Sequence, residues 1–334
     1  MITRTDVAKK AGVSVATVSH VMNETKYVSP ELREKVNTAI RLLNYRPNIV
    51  ARSLVTKRTK HVGIVVNDIT NPYYGEIAQG MEEIAHKHGY TVSLCLASDH
   101  FDSYLSSILQ RQMDGIFIAT VGNGIDPEHF QPLADAGIAI VNGGAKSYVN
   151  FDYTDAMNSL IKYYAAMGHK RIGYLSGLSI NTPIYDKGND RYSLYRDSLK
   201  KLGLVFKEEY VVDGMYPYKT DYRSGYEAMK TLLKRDTRVT AIFAINDYMA
   251  FGAVKAIREE GLKIPDDISV AGCDDIFFSE CFDPALTTIR VPKTEMGRQA
   301  MYLILNEIRE KKTGSLQLKA DLMIRDSTGP VKSS

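Results

Sequence analysis

The chain has 334 residues, 44% apolar and 24% charged, a composition typical of a globular protein of two or three domains. Its three cysteines form no C-x-x-C pair, which argues against a disulfide framework or a zinc site. No apolar run approaches the roughly 18 residues that a membrane span needs, and no signal-peptide pattern opens the chain. A cytoplasmic protein without membrane contact is therefore expected.

The net charge of +3 is unevenly distributed along the chain. Residues 1–60 hold 12 Lys and Arg against 4 Asp and Glu, a net charge of +8, and the remainder carries −5. A basic segment attached to an acidic body is typical of a module that binds a polyanion such as DNA. A solvated basic tail would have the same charge, so the interpretation depends on whether this segment folds.

Two short helices are predicted at the start of the basic segment. Thr3 and Asp6 have the spacing of a capping box, and Gly12 can end the first helix in a left-handed conformation. Ser14 can cap a second helix, "VATVSHVMN". The linker "AGVS" joins the two, as in a helix-turn-helix unit.

A third helix is predicted from Ser29, an N-cap followed by a first-turn proline, to about Asn44. Helical spacing puts one apolar stripe on it, which would cover the first two helices. The segment is therefore expected to be a folded helix-turn-helix domain. The stripe consists of Leu32, Val36, Ile40 and Leu43.

From His61 onward, strand-like apolar runs alternate with helical stretches. The first set is "HVGIVVN", "TVSLCLA", "GIFIAT" and "IAIVNG", and the second is "RIGYLSG", "AIFAIN" and "ISVAGCD". This alternation predicts two parallel α/β halves with a ligand bound at the carboxyl ends of the strands.

Patterns of enzymes are incomplete in this body. The segment "VGNGID" lacks the third glycine of a dinucleotide fingerprint, "GYLSG" does not fit G-x-S-x-G, and no phosphate-binding loop occurs. His86 and His88 have no third metal ligand nearby, so a solvated helix end is the expected reading. No cofactor, metal or enzyme activity is expected.

Several ordered segments resemble the lactose/galactose repressor (LacI/GalR) family of transcriptional regulators. In the head these are "TDVAKKAGVSVATVSHVMN" and the hinge-like "RPNIVARSL". In the body they are "DITNPYYGEIAQGMEE", "GHKRIGYLSG", "AIFAINDYMAFGAVKAIREEGLKIPDDISVAGCDD" and "ALTTIRVP". The resemblance implies a multidomain fold, an all-α helix-turn-helix head plus an α/β two-lobed periplasmic-binding-protein-like body. It also implies crossover strands near residues 160, 290 and 320.

The resemblance sets the expected domain boundaries. Residues 1–47 would form the DNA-binding head, residues 48–60 a hinge helix and linker, and residues 61–330 the effector-binding and dimerisation domain. Lobe one would cover about 61–160 and 291–318, and lobe two about 161–290 and 319–330.

In such a head the second helix lies in the major groove. Val15, Ala16 and His20 occupy the positions that read bases in the family. The first two can contact a thymine methyl, and the imidazole can hydrogen-bond to a purine edge. Hydroxyl and amide groups expected to hold phosphates belong to Thr5, Thr17, Ser19, Asn23 and Tyr45.

The hinge-like segment "NIVARSLVT" carries Leu54 in a basic surrounding. In the family the corresponding helix forms only when two chains meet on DNA, and its leucine enters the minor groove. A nine-residue helix is too short to be stable alone in water, which agrees with that behaviour. The alternative is a partly buried linker residue.

The resemblance also implies an effector site between the lobes. Arg191 would grip the effector with its planar fork, while Asp274 and Asn246 would hydrogen-bond to it. Within "GMYPYKTDYRSG", the residue that faces the ring of the effector could be Tyr216, Tyr218 or Tyr222. Cys273 stands where the family usually has an aromatic residue. The expected ring-facing residues are Tyr73, Tyr74 and Tyr216.

These observations predict a homodimeric repressor that binds a pseudo-palindromic operator and responds to a small carbohydrate-like effector. A small inducer is expected rather than a phosphoprotein co-repressor, although the direction of the response is left open. The alternatives are a sugar-transport protein, which the basic head disfavours, and a sugar-metabolising enzyme, for which no catalytic acid–base pair is found.

Overall fold

The computed structural model describes residues 2–23, 26–45, 58–97, 101–110, 112–119, 127–177, 190–214, 220–235 and 237–332. Contacts divide the chain into two units, Met1–Thr59 (the head) and Lys60–Ser334 (the body). Among the residues described, no helix is both long enough and apolar enough to cross a membrane.

The head consists of α1 (Arg4–Ala11), α2 (Val15–Asn23) and α3 (Pro30–Leu42). The predicted capping box is formed, since Asp6 N–H donates to the Thr3 hydroxyl at 3.4 Å and Thr3 N–H donates to the Asp6 carboxylate at 2.8 Å. Gly12 ends α1 with φ 66°, a left-handed conformation in which glycine has no steric penalty. Local capping therefore sets both ends of the first helix.

Apolar side chains from all three head helices meet in one small core. Val7, Val18 and Val36 are fully buried in it, one from each helix. These burials confirm the predicted helix-turn-helix fold, because the stripe of α3 covers α1 and α2.

The first sheet of the body is four-stranded and parallel. Its order is β2-β1-β3-β4, so the first strand lies inside the sheet and is buried on both faces. The strands are β1 (His61–Val66), β2 (Thr91–Leu96), β3 (Gly115–Ile118) and β4 (Ala139–Val141). The connecting helices are α4 (Pro72–Lys87), α5 (Phe101–Gln110) and α6 (Gln131–Asp135), with a 3₁₀ turn at Pro127–Phe130. A separate parallel pair joins β5 (Tyr148–Asp152) to β11 (Ser315–Lys319).

The second sheet has six strands. They are β6 (Ile172–Leu175), β7 (Val211–Val212), β8 (Ala241–Ala244), β9 (Ser269–Asp274), β10 (Thr287–Arg290) and β12 (Asp321–Met323). The order is β12-β10-β9-β8-β6-β7, and among the described strands of this sheet only β12, at the edge, runs antiparallel to its neighbour. Its helices are α7 (Thr154–Ala166), α8 (Arg191–Lys201), α9 (Tyr222–Lys234), α10 (Asp247–Glu259) and α11 (Phe278–Cys281), with a 3₁₀ turn at Glu208–Tyr210.

The helix α12 (Lys293–Glu310) follows β10 of the second sheet but packs on α4 and on β3, β4 and β5. The chain thus passes from one sheet to the other between Arg290 and Lys293. Two parallel α/β layers linked in this way confirm the predicted fold class.

One expectation about the crossovers is wrong. Near residue 160 the chain is helical, because α7 buries residues at helical spacing, among them Met157, Leu160 and Ile161. The passage between the layers lies earlier, where β5 ends at Asp152 and α7 begins at Thr154.

Candidate DNA-binding surface and effector site

The surface of α2 is the candidate base-reading face of the head. Val15 is 43% exposed and Ala16 is exposed, an unusual place for two adjacent apolar side chains. Thr17, Ser19 and His20 are partly exposed on the same helix. The side chains that could meet base edges therefore reach the surface of the folded head.

The candidate phosphate contacts differ in their surroundings. Thr5 is exposed on α1, whereas Tyr45 is only 8% exposed and packs in the head core. The ring of Tyr45 therefore stabilises the fold, and its hydroxyl is the part of this side chain that could contact a phosphate. The side chain of Asn23 and the whole of Leu54 lie outside the described residues.

Arg191 begins α8, whose N-cap Asp190 accepts a hydrogen bond from Ser193 N–H at 2.9 Å. The Arg191 Nη1 lies 3.6 Å from Asp274 Oδ1, and the Arg191 side chain is only 14% exposed. The guanidinium carbon lies 5.3 Å from the ring centroid of Tyr153. A buried guanidinium thus pairs with a carboxylate and stacks near an aromatic face, which favours a defined orientation.

Asp274 ends the central strand β9 with φ 110°, in a region that residues other than glycine rarely adopt. Such strain of roughly 1–3 kcal/mol is typical of ligand-binding positions. Burial raises the pKa of its carboxyl to about 6, although Arg191 and Lys293 act in the opposite direction. The residue is therefore a buried acid held in a strained backbone at the carboxyl end of a strand.

Two tyrosines from the other layer lie close to this acid. Tyr73 and Tyr74 stand in the first turn of α4, which Asn71 caps and Pro72 begins, and each is 8% exposed. Burial raises the pKa of both hydroxyls, and the charge of Asp274 adds to that effect. The sequence-predicted Tyr73, Tyr74, Arg191 and Asp274 are thus brought together where the two layers face each other.

Asn246, a predicted effector contact, also has a role in the local fold. It caps α10, where its Oδ1 accepts from Met249 N–H at 2.9 Å and its Nδ2 donates to the Thr220 carbonyl at 2.8 Å. Both polar atoms are thereby engaged by the backbone. The alternatives around Tyr216 are only partly described, because Tyr216 and Tyr218 lie outside the described residues, while Tyr222 begins α9 and is 46% exposed.

Asn67 follows β1 directly and was not singled out by its sequence pattern. In the part of the chain that the structure describes, its buried Oδ1 has no hydrogen-bond partner. A buried amide oxygen without a donor costs about 1–3 kcal/mol, so such an atom marks a place for a donor group.

Two contacts link the layers beside the site. The Tyr248 hydroxyl on α10 donates to the Thr70 carbonyl at 3.0 Å. The Lys293 ammonium, 3% exposed, donates to the carbonyls of Asp274 at 2.6 Å and Asp275 at 2.8 Å. It also lies 3.5 Å from Glu76 on α4. A change in the spacing of the layers would therefore disturb the backbone of Asp274.

In the described ranges, no group of three or more His, Cys, Asp or Glu side chains is placed to bind a metal ion. His88, at the end of α4, interacts with the Arg309 guanidinium at 3.1 Å.

Family profiles match both units of the chain. The profile described as "Bacterial regulatory proteins, lacI family" matches residues 3–48, and "Periplasmic binding protein-like domain" matches residues 161–328. The chain is also 33% identical to the HTH-type transcriptional repressor PurR of Pasteurella multocida, over 98% of both chains. The chain belongs to the LacI family. It is thus a DNA-binding transcriptional regulator, with relatives named as repressors.

A second relative, the PurR repressor of Mannheimia succiniciproducens, is 36% identical over 98% of both chains. Among solved structures, the lac repressor dimer bound to operator and the anti-inducer ONPF matches with a TM-score of 0.80 and 26% identity, over 98% of this chain and 99% of that one. The complex of the regulator CelR with cellobiose matches at 0.70 and 29%, over 98% and 100%.

A LacI-family regulator from Enterococcus faecium with bound ribose matches with a TM-score of 0.70 and 27% identity, over 81% of this chain and all of that one. These likenesses concern the whole two-layer body and, in the first two cases, the head as well.

Sequence patterns missed several residues of this LacI-family site. Tyr153 contacts Arg191, Lys293 contacts Asp274, and Asn67 has a buried Oδ1 without a partner among the described residues, yet none of the three stands in a motif with a chemical meaning of its own. Cys273 was noted only as a departure from the family pattern, and its Sγ accepts from Arg191 Nη1 at 3.6 Å. Tyr153 directly follows β5, a strand that the apolar runs of the sequence do not predict.

Proposed function

We propose that the chain is a homodimeric repressor whose operator affinity is controlled by a small carbohydrate-like effector bound between the two layers of the body. The observation that carries this proposal is the Arg191–Asp274 ion pair, buried beside Tyr73 and Tyr74 at the point where the layers meet. A regulator of this kind requires no catalytic step, so we propose no enzyme activity for it.

The effector chemistry follows from the groups at hand. A guanidinium fork donates to two adjacent oxygens, a carboxylate accepts from hydroxyls, and the Asn67 amide oxygen accepts one more donor. Tyrosine rings cover the apolar face of a sugar. Two solved regulators similar to this chain contain cellobiose and ribose, which supports a carbohydrate here.

A ligand screen on the full chain tests this effector class. Sugars, including ribose and cellobiose, sugar phosphates and nucleobases would be compared by thermal shift. A ligand that binds only the folded state stabilises it by about 2.7 kcal/mol at a hundredfold excess over its Kd. Stabilisation by sugars, with a change in operator affinity, supports the proposal. Stabilisation by nucleobases alone contradicts the carbohydrate class.

The pH dependence of effector binding provides a further prediction. Because burial raises the pKa of Asp274 to about 6, the carboxylate becomes protonated as the pH falls through that value and can then accept fewer hydrogen bonds. Affinity for the ligand found in the screen should be constant above pH 7 and fall below pH 6, by up to about tenfold per unit. Calorimetric titrations from pH 5 to 8 measure this, and affinity that rises on acidification would contradict the role of the carboxylate.

The operator-binding part of the proposal rests on the head. Its net charge of +8 and the exposed face of α2 fit an anionic duplex. Binding should weaken steeply with salt, with a log–log slope of several units. A dimer places two such helices on two half-sites, so selection from random duplexes should return a pseudo-palindrome. An asymmetric consensus would argue against a dimeric reader.

His20→Ala tests base reading by α2. Loss of the imidazole should relax base choice at one symmetric position by about 1–3 kcal/mol, because a base contact carries sequence information whereas a phosphate contact does not. Competition gel shifts with duplexes altered at each position measure the change. Thr5→Ala is the matched control, since loss of a phosphate contact should weaken all sequences equally. Uniform weakening in both variants would remove His20 from the reading face.

The dimeric state is supported by the relative solved as a dimer on its operator. Phe277 is 71% exposed and Phe278 48% exposed, so a second copy could bury two adjacent aromatic side chains on the body.

We also propose that Leu54 is the minor-groove wedge of the hinge. Leu54→Ala should reduce operator bending and lower specific affinity by roughly 1–3 kcal/mol, whereas a normally bent operator would return Leu54 to a packed linker role.

A further inference from the structure

Asp247, in the first turn of α10, is fully buried behind the site. Its Oδ2 accepts from Ile276 N–H at 2.9 Å and from the Ser279 hydroxyl at 2.7 Å. The hydroxyl of Thr288 lies 2.5 Å from its Oδ1. One carboxyl group thus ties the segment after β9 to the neighbouring strand β10.

The segment that Asp247 holds is strained. Asp274 has φ 110° and Asp275 has φ 51°, two consecutive left-handed residues without a glycine. Strain of this kind persists only where the surroundings fix the backbone. Asp275 N–H donates to the Thr288 hydroxyl at 3.3 Å, the same hydroxyl that contacts Asp247. The network around Asp247 therefore supports the strained turn in addition to the Lys293 contacts.

The close approach of Asp247 to β9 depends on a glycine. A Cβ built on Gly272 would lie 2.4 Å from Asp247 Oδ1, too close for any side chain. Gly272 is paired with Thr288 in the sheet, so the glycine leaves room for the carboxyl beside its hydroxyl partner. The sequence thus provides both the carboxyl group and the space that it occupies.

We propose that Asp247 is a positioning residue that holds Asp274 in its effector-binding geometry without touching the effector itself. This inference rests on the proposed function in so far as Asp274 binds the effector. It predicts that the placement of the Asp274 carboxylate depends on the hydrogen bonds of Asp247, and this can be measured without any effector.

The charge state of Asp247 determines which variants are informative. Burial, together with the nearby Asp274, raises the pKa of Asp247 to about 8, so the group is mostly protonated at neutral pH. Asparagine is therefore a neutral replacement of nearly the same shape. The other titratable groups around Asp274 are unchanged in such variants; they are Cys273 on the same strand and, on other elements, Tyr73, Tyr74, Glu76, Tyr153, Arg191 and Lys293.

The test is to titrate Asp274 in the full chain and to monitor its carboxyl group by NMR of ¹³C-labelled aspartate. The Asp274 signal is assigned by its loss in Asp274→Asn. In Asp247→Ala the turn should relax and Asp274 should become more hydrated, so its midpoint should fall by about one pH unit toward the ordinary value. Amide exchange at residues 275–277 should accelerate at least about tenfold, since the Ile276 N–H loses its acceptor. Asp247→Asn should restore both values.

Thr288→Val is the second variant, because it keeps the volume, removes one hydroxyl and is informative even if Asp247→Ala fails to fold. It should move the Asp274 midpoint in the same direction as Asp247→Ala. Wild-type titration and exchange in Thr288→Val would overturn the proposal. An Asp247→Asn variant that shifts the midpoint would also overturn it, since charge rather than position would then be at work. Failure of the proposed function would instead appear as effector binding that survives loss of Arg191.

Discussion

Arg191→Ala should abolish effector binding while the unliganded protein still binds its operator. The guanidinium is 14% exposed, lies 3.6 Å from Asp274 and would donate to the effector. Removing one partner of a buried ion pair costs about 3–5 kcal/mol. An effector that accepts two hydrogen bonds from the guanidinium should lose at least about a hundredfold in affinity, because each such charged hydrogen bond is worth about 1.5–3 kcal/mol. Calorimetry with the ligand found in the screen, and gel shifts with the operator, measure the two activities separately.

The loss of Arg191 should also lower the stability of the folded protein. Arg191 and Asp274 are already paired without ligand, so the Arg191→Ala protein should also melt at a lower temperature than the wild type. Lowering the pH below 6 should reduce this difference, because Asp274 then carries a proton and no longer needs a cation.

Arg196→Ala is the matched control for this prediction. Arg196 lies on the same helix with its side chain 51% exposed, so its loss should leave melting temperature, effector affinity and operator affinity unchanged. Arg191→Lys should behave nearly like Arg191→Ala, since an ammonium cannot provide the planar fork. Full effector binding by Arg191→Ala, or loss of operator binding by a folded variant, would show that Arg191 is not an effector ligand.

Gly80→Ala should destabilise the body strongly. A Cβ on Gly80 would lie 1.8 Å from the Thr294 carbonyl oxygen, and one on Gly297 would lie 1.9 Å from the Ile77 carbonyl oxygen. The obstacles are backbone atoms that cannot rotate away, so α4 and α12 would have to separate. Overpacking of cores costs about 1–3 kcal/mol, and this contact belongs at the upper end of that range. Urea unfolding of the full chain measures the loss.

The effect should extend to the effector site. The helices α4 and α12 begin with the segments that carry Tyr73, Tyr74 and Lys293, so their separation would move groups around Asp274. Gly75→Ala is the control on the same helix, because nothing lies within 4 Å of its added Cβ. It should leave stability unchanged or raise it by up to about 1 kcal/mol through helix propensity. Equal unfolding midpoints for the Gly75 and Gly80 variants would contradict the close helix crossing.

The sequence by itself determined the helices of the head, the main buried strands of both sheets and the order of the units. The capping box of Thr3 and Asp6, the left-handed Gly12 and the buried strands β1, β3, β6, β8 and β9 all follow from interactions within a few residues or from apolar periodicity. Such signals are local, so they can be read along one chain. The resemblance to a known family then supplied Arg191 and Asp274, because their neighbours in the sequence are distinctive.

Only the tertiary structure decided which groups surround those two residues. The sheet order places Cys273 against Arg191, and a crossover places Lys293 within hydrogen-bonding distance of the Asp274 carbonyl and beside Glu76. The tertiary structure also binds Asn246 Oδ1 in the cap of α10 and its Nδ2 to the Thr220 carbonyl, and it leaves Asn67 Oδ1 without a donor among the described residues. These outcomes depend on contacts between residues far apart in the chain, and no local propensity specifies them. Hydrogen bonding and burial are properties of the assembled layers, so the identity of the acid was readable in the sequence but its geometry was not.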